Sequence, residues 1–213
     1  MTDTLPVHDG VRTRRLARCA DCWLPVASCV CAELPRIRAA TRVVIVMHHV
    51  ETRRSSNTGR LAARVLDAPI LLRGLRDSDP RTRAAAPDAL APERRRLVLF
   101  PSEDARVLTP DHAAGAPVTL VVPDGNWKQA SRTLHRDEAA AGAEIVTLPP
   151  GPPSRYHLRR RPSEYALCTY EAIARALSIL ESPSIESAMM RALDLFVERT
   201  LALRGGIPAA GYP

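Results

Sequence analysis

Short apolar runs alternate with helical patterns along this chain. Runs rich in β-branched residues predict buried strands over 42–47, 69–72, 96–100, 118–122 and 144–148. Apolar positions spaced three and four residues apart predict helices over 57–67, 126–141, 168–181 and 185–204. Strands that alternate with helices form mostly parallel sheets with helices on their faces. The pattern therefore predicts an α/β fold, with residues 76–95 as a loop that holds one short helix.

Three parts of unequal size divide the chain. Residues 1–18 are polar and rich in arginine, and we expect them to be mobile. Residues 19–35 hold four of the five cysteines, and residues 36–213 hold every predicted strand and helix. With 213 residues, 46% of them hydrophobic, the chain is long enough for one large domain with a small appended module.

The four clustered cysteines follow the pattern C-x2-C-x6-C-x-C and are Cys19, Cys22, Cys29 and Cys31. Four thiolates can fill the four positions around a tetrahedral zinc ion, which gives a closed structural site without an open position for catalysis. Redox-active thiols and buried free cysteines are the alternatives to a zinc module. Cys168 stands alone, and we expect it to be a small buried residue.

The balance of charge is basic, with a formal net charge of +7 at pH 7. Such a balance favours anionic partners, nucleic acid above all. Lys128 is the only lysine, so the excess of arginine has a second explanation in the base composition of the genome. Neither a membrane-spanning run nor a signal peptide stands out, which predicts a cytoplasmic protein. Disulfides are rare in the cytoplasm, and this favours metal binding by the cysteines.

A polar turn follows the predicted strand 118–122. Gly125 permits a tight turn that leaves Asp124 at the end of the strand, and Asn126 can cap the next helix. We expect an exposed carboxylate here, beside free backbone N–H groups that suit an anionic ligand. Asp124 could bind an ammonium group, act as a general base or serve only the turn. Trp127 could belong to the core or stack on a base.

A second polar stretch follows the first predicted strand, and its side chains include Arg53, Arg54, Asn57, Thr58 and Arg60. The arginines could meet phosphates, and the other two residues could hydrogen-bond a small ligand. As structure alone, Asn57 is a helix cap and the arginines form a solvated face. His48 and Glu51 lack a further metal ligand at a fitting spacing. The chain also lacks the glycine-rich fingerprints of dinucleotide and nucleoside-triphosphate sites.

Taken in order, several motifs resemble the DTW-domain family, the tRNA-uridine aminocarboxypropyltransferases. The similarity covers roughly residues 19–180. Its motifs are the cysteine pattern with Leu34-Pro35, His48-x-x-Glu51, Arg54-x-x-Asn57-Thr58-Gly59-Arg60-Leu61, Asp124-Gly125-Asn126-Trp127-x-x-Ala130, Tyr156-x-Leu158-Arg159-x-x-Pro162 and Leu167-Cys168-Thr169-Tyr170-Glu171-Ala172. Two positions depart from the family pattern. Asn126 replaces the usual threonine, and Cys168 stands where serine is common.

This resemblance implies that the 3-amino-3-carboxypropyl group of S-adenosylmethionine is transferred to N3 of a uridine in tRNA and that methylthioadenosine leaves. Bacterial relatives act in the variable loop and eukaryotic ones in the D-loop, and the excess of arginine over lysine favours a bacterial source and hence the variable loop. It also implies a SPOUT-like fold in which three loops form a knot around the donor. The implied donor-binding residues are Val122, Pro123, Gly125, Asn126, Trp127, Leu148, Leu167 and Thr169. Asp124 would be the catalytic base, and the implied RNA-binding residues are Arg54, Asn57, Thr58, Arg60 and Arg159.

Two other functions are compatible with these motifs. An RNA methyltransferase would use the same donor and fold but would transfer the methyl group. A noncatalytic, zinc-bearing RNA-binding protein would bind tRNA without binding the donor. The sequence offers no sign of an obligatory protein partner under any of the three functions.

Overall fold

A six-stranded sheet forms the centre of the protein, whose computed structural model describes residues 17–75, 90–91, 93–159, 163 and 165–205. The strands are β1 (Arg42–His48), β2 (Ile70–Arg73), β3 (Arg95–Leu99), β4 (Arg106–Val107), β5 (Val118–Asp124) and β6 (Glu144–Thr147). Their order in the sheet is β2-β1-β5-β3-β6-β4, and every pairing is parallel. The predicted parallel α/β fold is confirmed, whereas the knot stays a prediction.

One strand was not expected from the pattern of apolar residues. The edge strand β4 has two residues, both exposed, so it leaves no apolar run in the sequence. The strand that ends at Asp124 is consequently the fifth strand. The predicted loop over 76–95 and the predicted mobile segment 1–18 lie largely outside the described residues.

Four α-helices accompany the sheet in the described part of the chain: α1 (Thr58–Leu66), α2 (Trp127–Arg136), α3 (Thr169–Leu180) and α4 (Pro183–Leu203). Helix α1 begins as predicted, because the side chain of Asn57 accepts the N–H of Arg60. Helix α2 ends at Arg136 instead of 141, since Asp137 takes an extended conformation. None of the described helices is both long and apolar enough to cross a membrane.

The two faces of the sheet belong to two separate hydrophobic clusters. Val43, Ile45 and Met47 of β1 pack in the larger cluster, together with apolar residues of α1, α3 and α4. The alternate residues Val44 and Val46 pack in the smaller cluster, which includes Ala130 of α2. Strands buried on both faces read as continuous apolar runs, which explains why the sequence pattern located β1 and β5.

The cysteine module packs directly against the α/β domain. Leu24, Val30 and Leu34 are buried in the larger cluster. The indole Nε1 of Trp23 donates to the backbone oxygen of Arg53 at 3.0 Å, and its ring lies 5.0 Å from the guanidinium carbon of Arg60. The module therefore shares its core with the rest of the protein, while the boundaries at 18 and 35 stay predictions.

Candidate active site

Asp124 is the last residue of β5, and its carboxylate is buried between the starts of two helices. Its Oδ2 accepts a hydrogen bond from Nδ2 of Asn57 at 2.7 Å, and its Oδ1 accepts one from Oγ1 of Thr169 at 2.5 Å. Asn57 caps α1, and Thr169 is the first residue of α3. The predicted exposure of this carboxylate is wrong, because only 6% of Asp124 is accessible to solvent.

The close approach of α1 to this carboxylate depends on a glycine. A Cβ atom on Gly59 would lie 2.6 Å from Oδ2 of Asp124 and 3.2 Å from Cε of Met47. Both distances are shorter than ordinary van der Waals contacts between heavy atoms. Any side chain at position 59 would therefore push the carboxylate or the helix out of place.

Burial governs the acidity of Asp124 and raises its pKa above the ordinary range for aspartate. The hydrogen bonds from Thr169 and Asn57 act in the opposite direction because they favour the ionised form. Both of these donors are neutral groups, so neither one cancels the negative charge. The site thus holds a buried negative charge, which the binding of a proton or of a cationic ligand would stabilise.

A second buried carboxylate, that of Glu51, lies in the short 3₁₀ helix that follows β1. Arg54 Nε lies 3.0 Å from its Oε1, and Arg159 Nη2 lies 2.8 Å from its Oε2. Arg159 also donates from Nε to Oγ of Ser56 at 2.8 Å, and the hydroxyl of Tyr156 donates to the backbone oxygen of Ser56. These contacts hold the loop after β1 against the loop after β6.

Two of the predicted RNA-binding arginines therefore neutralise Glu51 inside the protein. The side chain of Arg54 is 53% exposed and that of Arg159 is 32% exposed. Contact between these residues and RNA stays a prediction.

Arg60 and Thr58, also predicted to bind RNA, lie mostly inside the protein. The Arg60 guanidinium donates to the backbone oxygen of Thr52 and stacks over Trp23. Burial lowers the pKa of Arg60. Thr58 is 4% exposed. In this structure Arg60 joins the cysteine module to the loop after β1, and its RNA contact stays a prediction.

Two backbone N–H groups at the start of α2 are hydrogen-bonded to side chains of the same segment. The Oδ1 of Asn126 accepts the N–H of Gln129 at 2.9 Å, and the N–H of Asn126 donates to Oε1 of Gln129 at 2.9 Å. This reciprocal pair is a capping box. The predicted free N–H groups are therefore absent at these two residues. The sequence reasoning missed Gln129, although its position three residues after Asn126 is the spacing of that motif.

The remaining residues predicted to bind the donor lie at or just after the carboxyl ends of β5 and β6 and in the loop before α3. Val122 is buried in the larger cluster, so only its backbone can face a ligand. Leu148, Leu167, Pro123 and Gly125 are partly buried. Trp127 is 56% exposed and meets Phe100 edge to face at 5.2 Å, so it does not belong to the core.

Glu171 holds the loop that leads to Thr169, and sequence reasoning did not single it out. It is 1% exposed, and its carboxylate accepts hydrogen bonds from Oγ of Ser154 at 2.6 Å, the N–H of Arg155 at 2.7 Å and the N–H of Cys168 at 3.0 Å. The spacing Cys168-x-x-Glu171 is that of a capping box and could have located it. Cys168 is partly buried, and burial raises the pKa of its thiol.

The four clustered thiols lie in a geometry that fits one metal ion. Their Sγ atoms lie within 4.8 Å of one another. The Cys19–Cys31 and Cys22–Cys29 pairs are each 3.7 Å apart, which excludes disulfides. Four sulfurs at about 2.3 Å from a tetrahedral zinc ion would be about 3.8 Å apart. Burial opposes ionisation of Cys19, but backbone hydrogen bonds from Cys22 and Asp21 lower its pKa to about 7.

Comparison with known proteins agrees with the motifs. The DTW domain matches residues 16–201. A protein of Drosophila melanogaster named tRNA-uridine aminocarboxypropyltransferase 2 is 33% identical over 185 residues, which are 84% of this chain and 73% of the fly protein. The Mus musculus protein of the same name is 29% identical over 198 residues, which are 89% of this chain and 64% of the mouse protein.

Among solved structures, the SAM-dependent rRNA:acp-transferase Tsr3 from Vulcanisaeta distributa is 18% identical, with a TM-score of 0.41. The match covers 77% of this chain and 79% of that structure. The DTW match extends over most of the chain and includes the cysteine cluster, Asp124 and Thr169. This protein belongs to the DTW-domain family.

Proposed function

We propose that this protein transfers the 3-amino-3-carboxypropyl group of S-adenosylmethionine to N3 of a uridine in tRNA and releases methylthioadenosine. Membership of the DTW-domain family and the names of the fly and mouse relatives support this activity. The single observation in its favour within the chain is the buried Asp124, whose hydrogen-bond donors Asn57 and Thr169 are both neutral. Such a carboxylate suits a substrate that brings a cation and a proton to be removed.

The donor would lie at the carboxyl ends of β5 and β6, where ligands bind in open parallel sheets. S-adenosylmethionine carries a positive sulfonium and a positive ammonium group, and the charge of Asp124 complements both. Thr169 offers a hydroxyl, and Leu148 and Leu167 offer apolar surface. Val122, Pro123, Gly125, Asn126 and Trp127 would complete the donor site. Val122 and Trp127 would do so through their backbones, since the Val122 side chain is buried in the core and the indole of Trp127 is exposed.

Asp124 would accept the proton of uridine N3 as that nitrogen attacks the methylene carbon attached to sulfur. A new N–C bond forms, the C–S bond breaks, and its electron pair remains on sulfur. Methylthioadenosine leaves as a neutral molecule, so no general acid is required. General base catalysis contributes roughly 10²- to 10⁴-fold. The remaining acceleration would come from positioning the methylene instead of the methyl carbon in line with N3.

Mass spectrometry of nucleosides tests the reaction. Unmodified tRNA is incubated with the protein and S-adenosylmethionine, and then digested. We expect 3-(3-amino-3-carboxypropyl)uridine together with methylthioadenosine. Methyluridine with S-adenosylhomocysteine would establish a methyltransferase instead. Tight tRNA binding with neither product would establish a noncatalytic RNA-binding protein. A tRNA with cytidine in place of the variable-loop uridine tests the proposed position, because it should remain unmodified.

We also infer that Cys19, Cys22, Cys29 and Cys31 bind one structural zinc ion. The spacing of the four sulfur atoms supports this site. Protein purified without added metal should contain about one equivalent of zinc and show one titratable thiol, that of Cys168. Cys22→Ser should lose the metal, whereas the control Cys168→Ser should keep it. Less than half an equivalent, with all five thiols reactive, would exclude the site.

The proposed location is the cytoplasm, which keeps thiols reduced and contains tRNA. The five free cysteines are in keeping with this location. The expectation that no protein partner is required stays a prediction, which activity of the purified protein alone would support.

A further inference from the structure

Helix α2 exposes a row of basic side chains on its solvent side. We call this surface the cationic face of α2, and it consists of Trp127, Lys128, Arg132, His135 and Arg136, all of them exposed. The helix contains no acidic residue. Its first residue follows Asp124 by three positions, so the face begins beside the candidate active site.

The cations of this face differ from Arg54 and Arg159 because they have no acidic partner in the part of the chain that the structure describes. Within the described residues, Lys128, Arg132 and Arg136 form no ion pair, whereas Arg54 and Arg159 are paired with Glu51. Of the two acids that follow α2, Asp137 accepts from Nη2 of Arg73 at 2.9 Å, and Glu138 lies 3.9 Å from the same nitrogen. The positive charge of α2 is therefore available to a partner.

The face begins next to the carboxyl end of β1. A Cβ atom on Gly125, two residues before Trp127, would lie 3.5 Å from Cβ of His48. Lys128 and Arg136 are eight residues apart, which corresponds to about 12 Å along a helix. A strand of RNA that follows this helix could contact more than one of the cations.

A groove of about 520 Å³ opens beside Trp127. The residues that line it include Phe100, Ser131 and His135, together with the acidic Glu103 and Asp104. The two carboxylates would repel a phosphate but could accept hydrogen bonds from the amino group of a base. The exposed indole of Trp127 offers a flat surface on which a base can stack. The groove thus suits a base, and the cations beside it suit the backbone.

We propose that the cationic face of α2 is the tRNA-docking surface. Trp127 stacks on an unpaired base of the loop that contains the target uridine, and Lys128, Arg132 and Arg136 contact its phosphates. The combination of exposed aromatic and cationic groups is typical of surfaces that bind single-stranded nucleic acid. This proposal rests on the proposed function for the identity of the RNA, but its binding test does not depend on turnover.

The test measures the dissociation constant for unmodified tRNA at several salt concentrations. Trp127→Ala should weaken binding by about 5- to 100-fold, as expected for one lost base stack. The double variant Lys128→Ala with Arg136→Ala should reduce the slope of log K against log salt by about 1.4, or about 0.7 for each lost phosphate contact. The matched control, Arg38→Ala with Arg191→Ala, removes two exposed arginines elsewhere and should leave the slope unchanged. Circular dichroism and Tm check that each variant is folded.

Two results would overturn the proposal. The first is wild-type affinity and salt slope in the α2 double variant. The second is a Trp127→Ala variant that binds tRNA normally but shows a raised KM for S-adenosylmethionine, since the indole would then belong to the donor site. Absence of the aminocarboxypropyl product from wild-type protein, with the expected binding losses in the variants, would contradict the proposed function and leave the docking surface supported.

Discussion

Two buried carboxylates lie close to each other near the carboxyl edge of the sheet, and they differ in how their charge is balanced. Glu51 is 3% exposed and has a guanidinium on each oxygen, from Arg54 and Arg159. Asp124 is 6% exposed and has only the amide of Asn57 and the hydroxyl of Thr169. Burial alone therefore does not distinguish the two carboxylates, whereas the presence or absence of a cationic partner does.

The comparison distinguishes a polar residue that stabilises the fold from one whose charge is free to interact with a ligand. A buried carboxylate with two guanidinium partners is compensated, and removing it leaves two cations without a counter-charge. A buried carboxylate with neutral donors keeps an unbalanced charge that a proton or cationic ligand can neutralise. We therefore expect substitutions of Asp124 to affect the reaction and substitutions of Glu51 to affect stability first.

The largest expected effect is the loss of turnover in Asp124→Asn. The amide cannot accept the N3 proton, so kcat should fall by roughly 10²- to 10⁴-fold while tRNA affinity stays nearly unchanged. Single-turnover assays and a tRNA-binding titration measure the two quantities. Asp111→Asn alters an exposed carboxylate and should behave like the wild type. Full activity of Asp124→Asn would remove the distinction between the two carboxylates.

Removal of the compensated carboxylate in Glu51→Ala should destabilise the fold. The loss of two charge-assisted hydrogen bonds should lower the free energy of unfolding by about 1–3 kcal/mol, a range reduced because both arginines reach solvent. Urea denaturation measures the change. The matched control is Glu33→Ala, which breaks a more exposed pair with Arg199 and should cost less than about 1 kcal/mol. Equal costs in the two variants would contradict a structural role for Glu51.

Helix α1 offers a test of how tightly Asp124 is held. Gly59→Ala places a methyl group where Oδ2 of Asp124 now lies, so we expect a loss of about 1–3 kcal/mol in stability together with reduced kcat. Without this contact, alanine would stabilise the helix by up to about 1 kcal/mol. Thermal denaturation therefore distinguishes the two cases, because Tm falls in the first case and rises in the second. A stabilised and fully active variant would show that the carboxylate has room to move.

The smallest expected effect is a pH dependence of stability that depends on Asp124. Because its pKa is raised in the folded protein, the native state retains the proton at pH values where the unfolded chain has lost it. The contribution of this residue to stability is therefore fully present below about pH 4 and decreases as pH rises through the folded pKa. Over that pH range, the Tm of the wild type should fall relative to the Tm of Asp124→Asn. A constant difference would indicate a carboxylate of ordinary pKa.

The sequence was sufficient for the main elements, because β1 and β5 are continuous apolar runs and α1 has a recognisable cap in Asn57. It was insufficient for β4, which is too short to form a pattern. The position of Asp124 at a strand end was predictable, but its burial was not. Its two partners lie 67 and 45 residues away along the chain, and only the folded protein brings them together.

The arginines show the same limitation in another form. A sequence reveals positive charge but not whether an acid neutralises it, so the contacts of Arg54 and Arg159 with Glu51 could not be predicted. Their contact with RNA stays a prediction. The shorter α2 also illustrates a local effect, since the backbone of Asp137 turns away before the helical pattern of the sequence ends.

The alternation of side chains along β5 has a consequence for insertions and deletions. Leu120, Val122 and Asp124 point to one face, while Val121 points to the other. Inserting one residue within this strand would transfer the carboxylate to the opposite side of the sheet, away from Asn57 and Thr169. Inserting two would restore the side while moving the group about 7 Å farther along the strand axis. Parity, as much as residue identity, decides whether this strand places a carboxylate beside Asn57 and Thr169.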